Sequence, residues 1–161
     1  MSEQSPDLKP RTKAFGLRVI TMYSRLAKND TVAQVLGKQV LRSGTSVGAN
    51  YREAFRARSK PEFISKTGDC LKEIEETEYW LELLVDSGCV PATKMDALLD
   101  ETRQLIAILA TINKKAKLVK KESRLKNPEN IAHAETIGIE GSSFGMKDQI
   151  ALAKSLARRI G

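Results

Sequence analysis

Between Thr12 and Asn127, apolar residues return every three or four positions, and the pattern falls into four stretches separated by short breaks. The first runs from Thr12 to about Lys28 and carries Phe15, Val19, Met22 and Leu26, with Ile20 and Tyr23 alongside. The second carries Val32, Val35, Leu36, Val40, Ser43, Val47, Asn50 and Ala54, the third Phe63, Thr67, Cys70, Ile74, Thr77, Trp80/Leu81 and Leu84. The fourth is the most regular: Met95, Leu98, Thr102, Leu105, Leu109, Ile112, Ala116 and Val119 alternate between spacings of three and four, as in the seam of a bundle or coiled coil. Leu99 and Ile106 widen that stripe, so the fourth helix is expected to touch more than one neighbour. Four amphipathic helices on short connections predict an all-α, antiparallel up-down-up-down four-helix bundle over residues 12–127.

The breaks between stretches carry helix-end chemistry. Asn29-Asp30 interrupts the first pattern, and Thr31 with Gln34 makes a capping box for the second helix. Ser59 and Glu62 make another, with Pro61 harmless in a first turn because its missing amide hydrogen has no partner there anyway. Gly88 closes the third helix, Pro91 opens the fourth, and Asn127-Pro128 stops it. Residues 1–11, with Pro6 and Pro10 and little apolar content, are expected to be a mobile lead-in, and residues 128–161 a tail. Within that tail IGIEGSSFG is turn-like, whereas MKDQIALAKSLARRIG has a loose helical spacing that allows a short helix.

The second stripe passes straight through Gly44 and Gly48. A mid-helix glycine costs roughly 1 kcal/mol relative to alanine, so the pair implies another helix approaching closely over the missing side chains. GTSVGAN is a poor phosphate loop, since it lacks the Gly-Lys-Ser/Thr ending and a preceding strand.

With 41% hydrophobic, 29% charged and only 5% aromatic residues, the 161-residue composition suits one helical domain rather than sheets. The longest apolar run, LIAILATI, is far short of a membrane span, and the N-terminus has no apolar signal core, so the expected setting is the cytoplasm, without membrane contact. Cys70 and Cys89 lie at no metal-ligand spacing, and Cys70 falls on the apolar stripe. The lone histidine, His133, has no nucleophile or carboxylate array around it, and the glutamates of the third helix lack the histidines of a di-iron bundle. Neither catalysis, a metal nor a cofactor is therefore expected.

The formal charge of +7 favours an anionic partner, and its distribution says where. Residues 1–60 carry 12 Lys/Arg against 4 Asp/Glu, and residues 61–87 carry 2 against 8, so the first half is basic and the third helix acidic. Arg52, Arg56 and Lys60 are spaced at four and predict one cationic helix face, with Arg58 beside it; Lys114, Lys117 and Lys121 share a face of the fourth helix. Together with Arg42 these are the candidate phosphate contacts, because sequence-independent binding to a nucleic acid needs only clustered cations. The acidic third helix is expected to present a solvated face that pairs in part with basic groups of another helix or subunit.

Over LRSGTSVGANYREAFRARSKPEF and LKEIEETEYWLELL the chain resembles the small bacterial four-helix-bundle family that includes the protein encoded in intervening sequences of large-subunit ribosomal RNA genes and the accessory variability protein of diversity-generating retroelements. The resemblance covers roughly Ala14 to Lys121, and the tail after Asn127 departs from it. It implies an up-down-up-down bundle assembled as a homo-oligomer, often a homopentamer, with no catalytic residues. In the retroelement branch it implies RNA or DNA and a reverse transcriptase as partners. Two functional readings remain open on the sequence: a nucleic-acid-binding accessory protein, and a structural or protein-interaction module whose charge keeps it soluble.

Overall fold

The computed structural model describes residues 8–125, with side chains to Val119. The expected tail over 128–161, with His133 in it, lies outside the described residues. Four helices follow one another: α1 (Leu8–Ser24), α2 (Thr31–Phe55), α3 (Lys60–Asp86) and α4 (Ala92–Leu125). The links at 25–30, 56–59 and 87–91 are too short to allow anything but antiparallel neighbours.

Residue pairs across each contact show the same direction. Thr12 lies against Gly48 and Val19 against Gly44, so α1 and α2 run oppositely. Thr77 reaches Ser43 and Cys70 reaches Val47 between α3 and α2. Asn113 meets Ile64 and Arg103 meets Glu78 between α4 and α3. Contacts from Arg11 to Glu101 and from Arg18 to Ala97 join α1 to α4.

The interior these helices share contains Phe15, Val19, Val40, Val47, Phe63, Ile74, Leu81, Leu84, Met95, Leu105 and Leu109, all fully buried. Removing such a side chain from water is worth about 1.5–3 kcal/mol, which is what holds helices of modest individual stability together. The polar members of the stripes are satisfied locally: the hydroxyls of Thr12, Thr67, Thr77 and Thr102 each donate to the carbonyl four residues earlier. Threonine thus fills core positions without leaving an unpaired group.

α1 and α2 approach over three glycines. A Cβ built on Gly44 would stand 2.8 Å from Val19 Cγ2, and one on Gly48 would stand 3.4 Å from the Thr12 carbonyl oxygen. Gly37, which the sequence reading passed over, is tighter still at 2.3 Å from Leu26 Cδ1. Its position seven residues before Gly44, on the same face, was the signal for it.

Several helix ends differ from expectation. α1 starts at Leu8 rather than Thr12, because Pro10 is tolerated in a first turn and buried Leu8 extends the apolar stripe by a turn. It stops at Ser24 rather than near Lys28, where the Arg25 and Leu26 amides turn back onto the Met22 and Tyr23 carbonyls. Asp30, not Thr31, caps α2: its carboxylate accepts from the Ala33 amide at 3.0 Å, while Gln34 donates to the Ala27 carbonyl. A carboxylate at a helix N-terminus also meets the favourable end of the helix dipole. Ser59 caps α3 as expected, accepting from the Glu62 amide, but Glu62 reaches back to the amide of Arg58 at 2.7 Å, one residue beyond the usual box. Gly88 follows α3 with φ +76°, the left-handed conformation that favours glycine.

Candidate nucleic-acid interface

α2 ends at Phe55, so Arg52, Arg56 and Lys60 do not share the single helix face that their spacing predicts. Arg56 is the C-cap of α2, Arg58 lies in the link, and Lys60 is the first residue of α3. The pattern of fours misled because it runs across a helix boundary set by the Ser59 cap. The cations are nonetheless gathered in one turn at one end of the bundle. Arg52, Arg56 and Arg58 are exposed there, and none forms an ion pair among the described residues.

The antiparallel topology adds two more groups to this end, because α1 begins and α4 finishes there. Lys9, assigned from sequence to a lead-in, places its Nζ 3.6 Å above the ring of Phe55, a cation–π contact. On the other side, Asn113 donates to the Ile64 carbonyl at 2.8 Å and to Thr67 Oγ1 at 2.9 Å, which fixes the register of α4. That register sets exposed Lys114 and Lys117 alongside the first turns of α3, where with Leu71 and Leu118 they border a shallow depression of about 480 Å³. Lys121 continues α4 beyond them, its side chain outside the described ones. Tyr51 is buried and Phe55 half-buried beneath Lys9, so neither presents an open face for stacking a base.

Arg42 is placed differently. It sits mid-helix on α2 and pairs with Glu76, whose carboxylate also accepts from Trp80 Nε1 at 3.0 Å. Arg103 of α4 bridges Glu78 at 2.7 Å and Glu82 at 3.0 Å. Three of the acidic side chains of α3, Glu76, Glu78 and Glu82, are thus paired with α2 and α4 of the same chain, which is the partial helix-to-helix pairing expected. Glu53 is likewise taken by Lys66 at 2.6 Å.

Glu73, between these pairs, has one buried carboxylate oxygen without a hydrogen-bond partner. Desolvation raises its pKa, and the nearby Glu76 and Asp69 carboxylates push the same way against Arg42. Cys70 is fully buried with its sulfur 3.7 Å from the Val47 carbonyl, and burial pushes its thiol up to about 12, which makes it a core residue rather than a nucleophile. Among the described residues no group of three His, Cys, Asp or Glu side chains is placed to hold a metal ion, and no helix is long and apolar enough to cross a membrane.

A sequential bundle of four helices with exposed cations gathered at one end defines the class of small all-α four-helix proteins. Residues 7–111 match the family described as 23S rRNA-intervening sequence protein, and the chain belongs to that family. The match ends before Lys114, Lys117 and Lys121. A crystal structure at 1.70 Å of a protein with unknown function from the S23 ribosomal protein family of Bacteroides thetaiotaomicron is similar at 39% identity, covering 66% of this chain and 94% of that one with a TM-score of 0.61. No curated protein matches the chain.

Proposed function

We propose that the protein is a non-enzymatic accessory protein that assembles with itself, a homopentamer being the favoured form, and binds nucleic acid through the cationic end of its bundle. The observation that carries this reading is the contrast between charges. Arg42, Lys66 and Arg103 are each taken by a carboxylate, whereas Arg52, Arg56 and Arg58 are exposed and have none among the described residues. Unpaired clustered cations meet a phosphate backbone without reading its bases. The family description connects its members with 23S rRNA intervening sequences, which supports RNA as the first nucleic acid to try. A reverse transcriptase is the protein partner proposed for the retroelement branch.

Self-association rests on separate support: Ile20, Val32 and Val35 are roughly half exposed. Apolar surface of this kind would be covered in an assembly. Light scattering on purified protein at micromolar concentration should give a multiple of the chain mass, five for the favoured form, and a monomer would contradict it. The same apolar residues favour the second reading, a protein-interaction module without a nucleic-acid role. Anisotropy of a labelled RNA oligonucleotide at low salt separates the two, since only the first reading expects saturable binding.

A further inference from the structure

The opposite end of the bundle holds a second feature. Between the last turns of α1, the 87–91 link and the start of α4 lies a groove of about 810 Å³. Its apolar surface includes Leu17, Met22, Leu26, Val90 and Leu98, and its charged members are Arg18, Arg25 and Lys94. None of the lining residues is acidic. The size falls within the roughly 300–1,000 Å³ typical of small-molecule sites, as does the balance of apolar lining and few polar groups.

We propose that this groove binds a small amphipathic anion, an apolar chain or ring carrying one acidic head group. Charge complementarity selects the occupant: the Arg25 and Lys94 side chains form no hydrogen bond or ion pair among the described residues, and they flank an apolar floor. Arg18 Nη2 donates to the Ala97 carbonyl at 2.5 Å, which ties the guanidinium across the α1–α4 gap while its remaining N–H groups stay available. A bare phosphate would leave the floor wet, and a neutral hydrocarbon would leave the cations without a counterion. An anion with an apolar body meets both demands. The site goes beyond the proposed nucleic-acid role and is separated from the cationic end by the length of the helices.

Cys89 lies half-buried on the wall of this groove and reports its occupancy, because Cys70 is fully buried in the core. The probe is decanoate, kept below its micelle-forming concentration, with decan-1-ol and inorganic phosphate as separate comparisons. On the full chain, decanoate should bind with one site per protomer by calorimetry and slow the alkylation of Cys89 by iodoacetamide. Decan-1-ol and phosphate should each protect far less. The double variant Arg25→Gln/Lys94→Gln should weaken decanoate binding about tenfold or more, the loss of charge-assisted contacts. Replacing Arg52, Arg56 and Arg58 should leave it unchanged. Three outcomes overturn the proposal: decanoate binding that fails to saturate, equal binding by wild type and the double variant, or protection of Cys89 that rises with protein concentration alone, which would mean that a second copy covers the groove.

Discussion

The side-chain amide of Asn113 donates to the hydroxyl of Thr67 across 2.9 Å, in the buried layer between α4 and α3. The same nitrogen reaches the Ile64 carbonyl, and Thr67 in turn donates to the Phe63 carbonyl at 2.9 Å. This chain of bonds is what holds the α4 lysines level with the turn between α2 and α3.

Asn113→Ala should therefore destabilise the protein by about 1–3 kcal/mol, since it removes the amide that donates to buried Thr67 Oγ1 and ties α4 to the Ile64 carbonyl. Urea unfolding would show a lower midpoint at unchanged slope. Combined with Thr67→Val, the losses should be less than additive, because each variant already breaks the same bond. Full additivity would mean that the bond contributes nothing.

The glycines of α2 should separate by their surroundings. At Gly48 an added methyl stands in ordinary contact with Thr12, and alanine removes a helix penalty of roughly 1 kcal/mol, so Gly48→Ala should be neutral or stabilising. At Gly44 the methyl meets branched, buried Val19 at 2.8 Å, and Gly44→Ala should melt lower than Gly48→Ala. Leucine at Gly48 would have to push back α1 itself, which overpacking data put at about 1–3 kcal/mol. Thermal melts in the reverse order for the two alanine variants would contradict the close crossing.

Glu73 gives a pH dependence of definite sign. Its folded pKa is raised above the ordinary 4.5, so the folded protein holds this proton more tightly than the unfolded chain does. Stability from this group is present below 4.5 and is lost as pH rises through the raised value. Glu73→Gln should accordingly be more stable than wild type at neutral pH, with the advantage shrinking as the medium is acidified. A variant less stable than wild type at pH 7 would show that the carboxylate has a partner.

The bundle was legible because its four stripes repeat over long stretches, and most of their members, from Phe15 to Ala116, are buried; but Val32, Val35 and Val119, expected on the stripes, are exposed, because the buried face of α2 opens at Ala33 and Gly37 instead. Helix ends were less legible, since they depend on single side chains competing for the same amides: Asp30 displaces Thr31, and Pro10 lies inside α1 rather than before it. The cationic residues could be named from composition, but their grouping could not. Arg52, Arg56 and Lys60 looked like one face because nothing in a spacing of four reveals that the helix stops at Phe55. Arg42 looked equivalent to them until Glu76, 34 residues away, came to lie beside it. Pairings of that range are set by the register of packed helices, which no local pattern encodes.

The central claim is that the unpaired cations at one end of the bundle bind a phosphate backbone. Fluorescence anisotropy of a labelled RNA oligonucleotide, titrated at several salt concentrations, tests it most directly. The wild type should bind at about 50 mM salt with little sequence preference, and its log affinity should fall linearly with log salt, by about 0.7 per phosphate neutralised on a single strand and 0.9 on duplex DNA. Arg52→Gln/Arg56→Gln/Arg58→Gln should flatten that slope and weaken every sequence alike while the melt and the assembly stay unchanged, whereas Arg42→Gln, already paired with Glu76, should change it little. No binding by the wild type at about 50 mM salt, where such contacts are strongest, or a triple variant with an unaltered slope, would contradict the account.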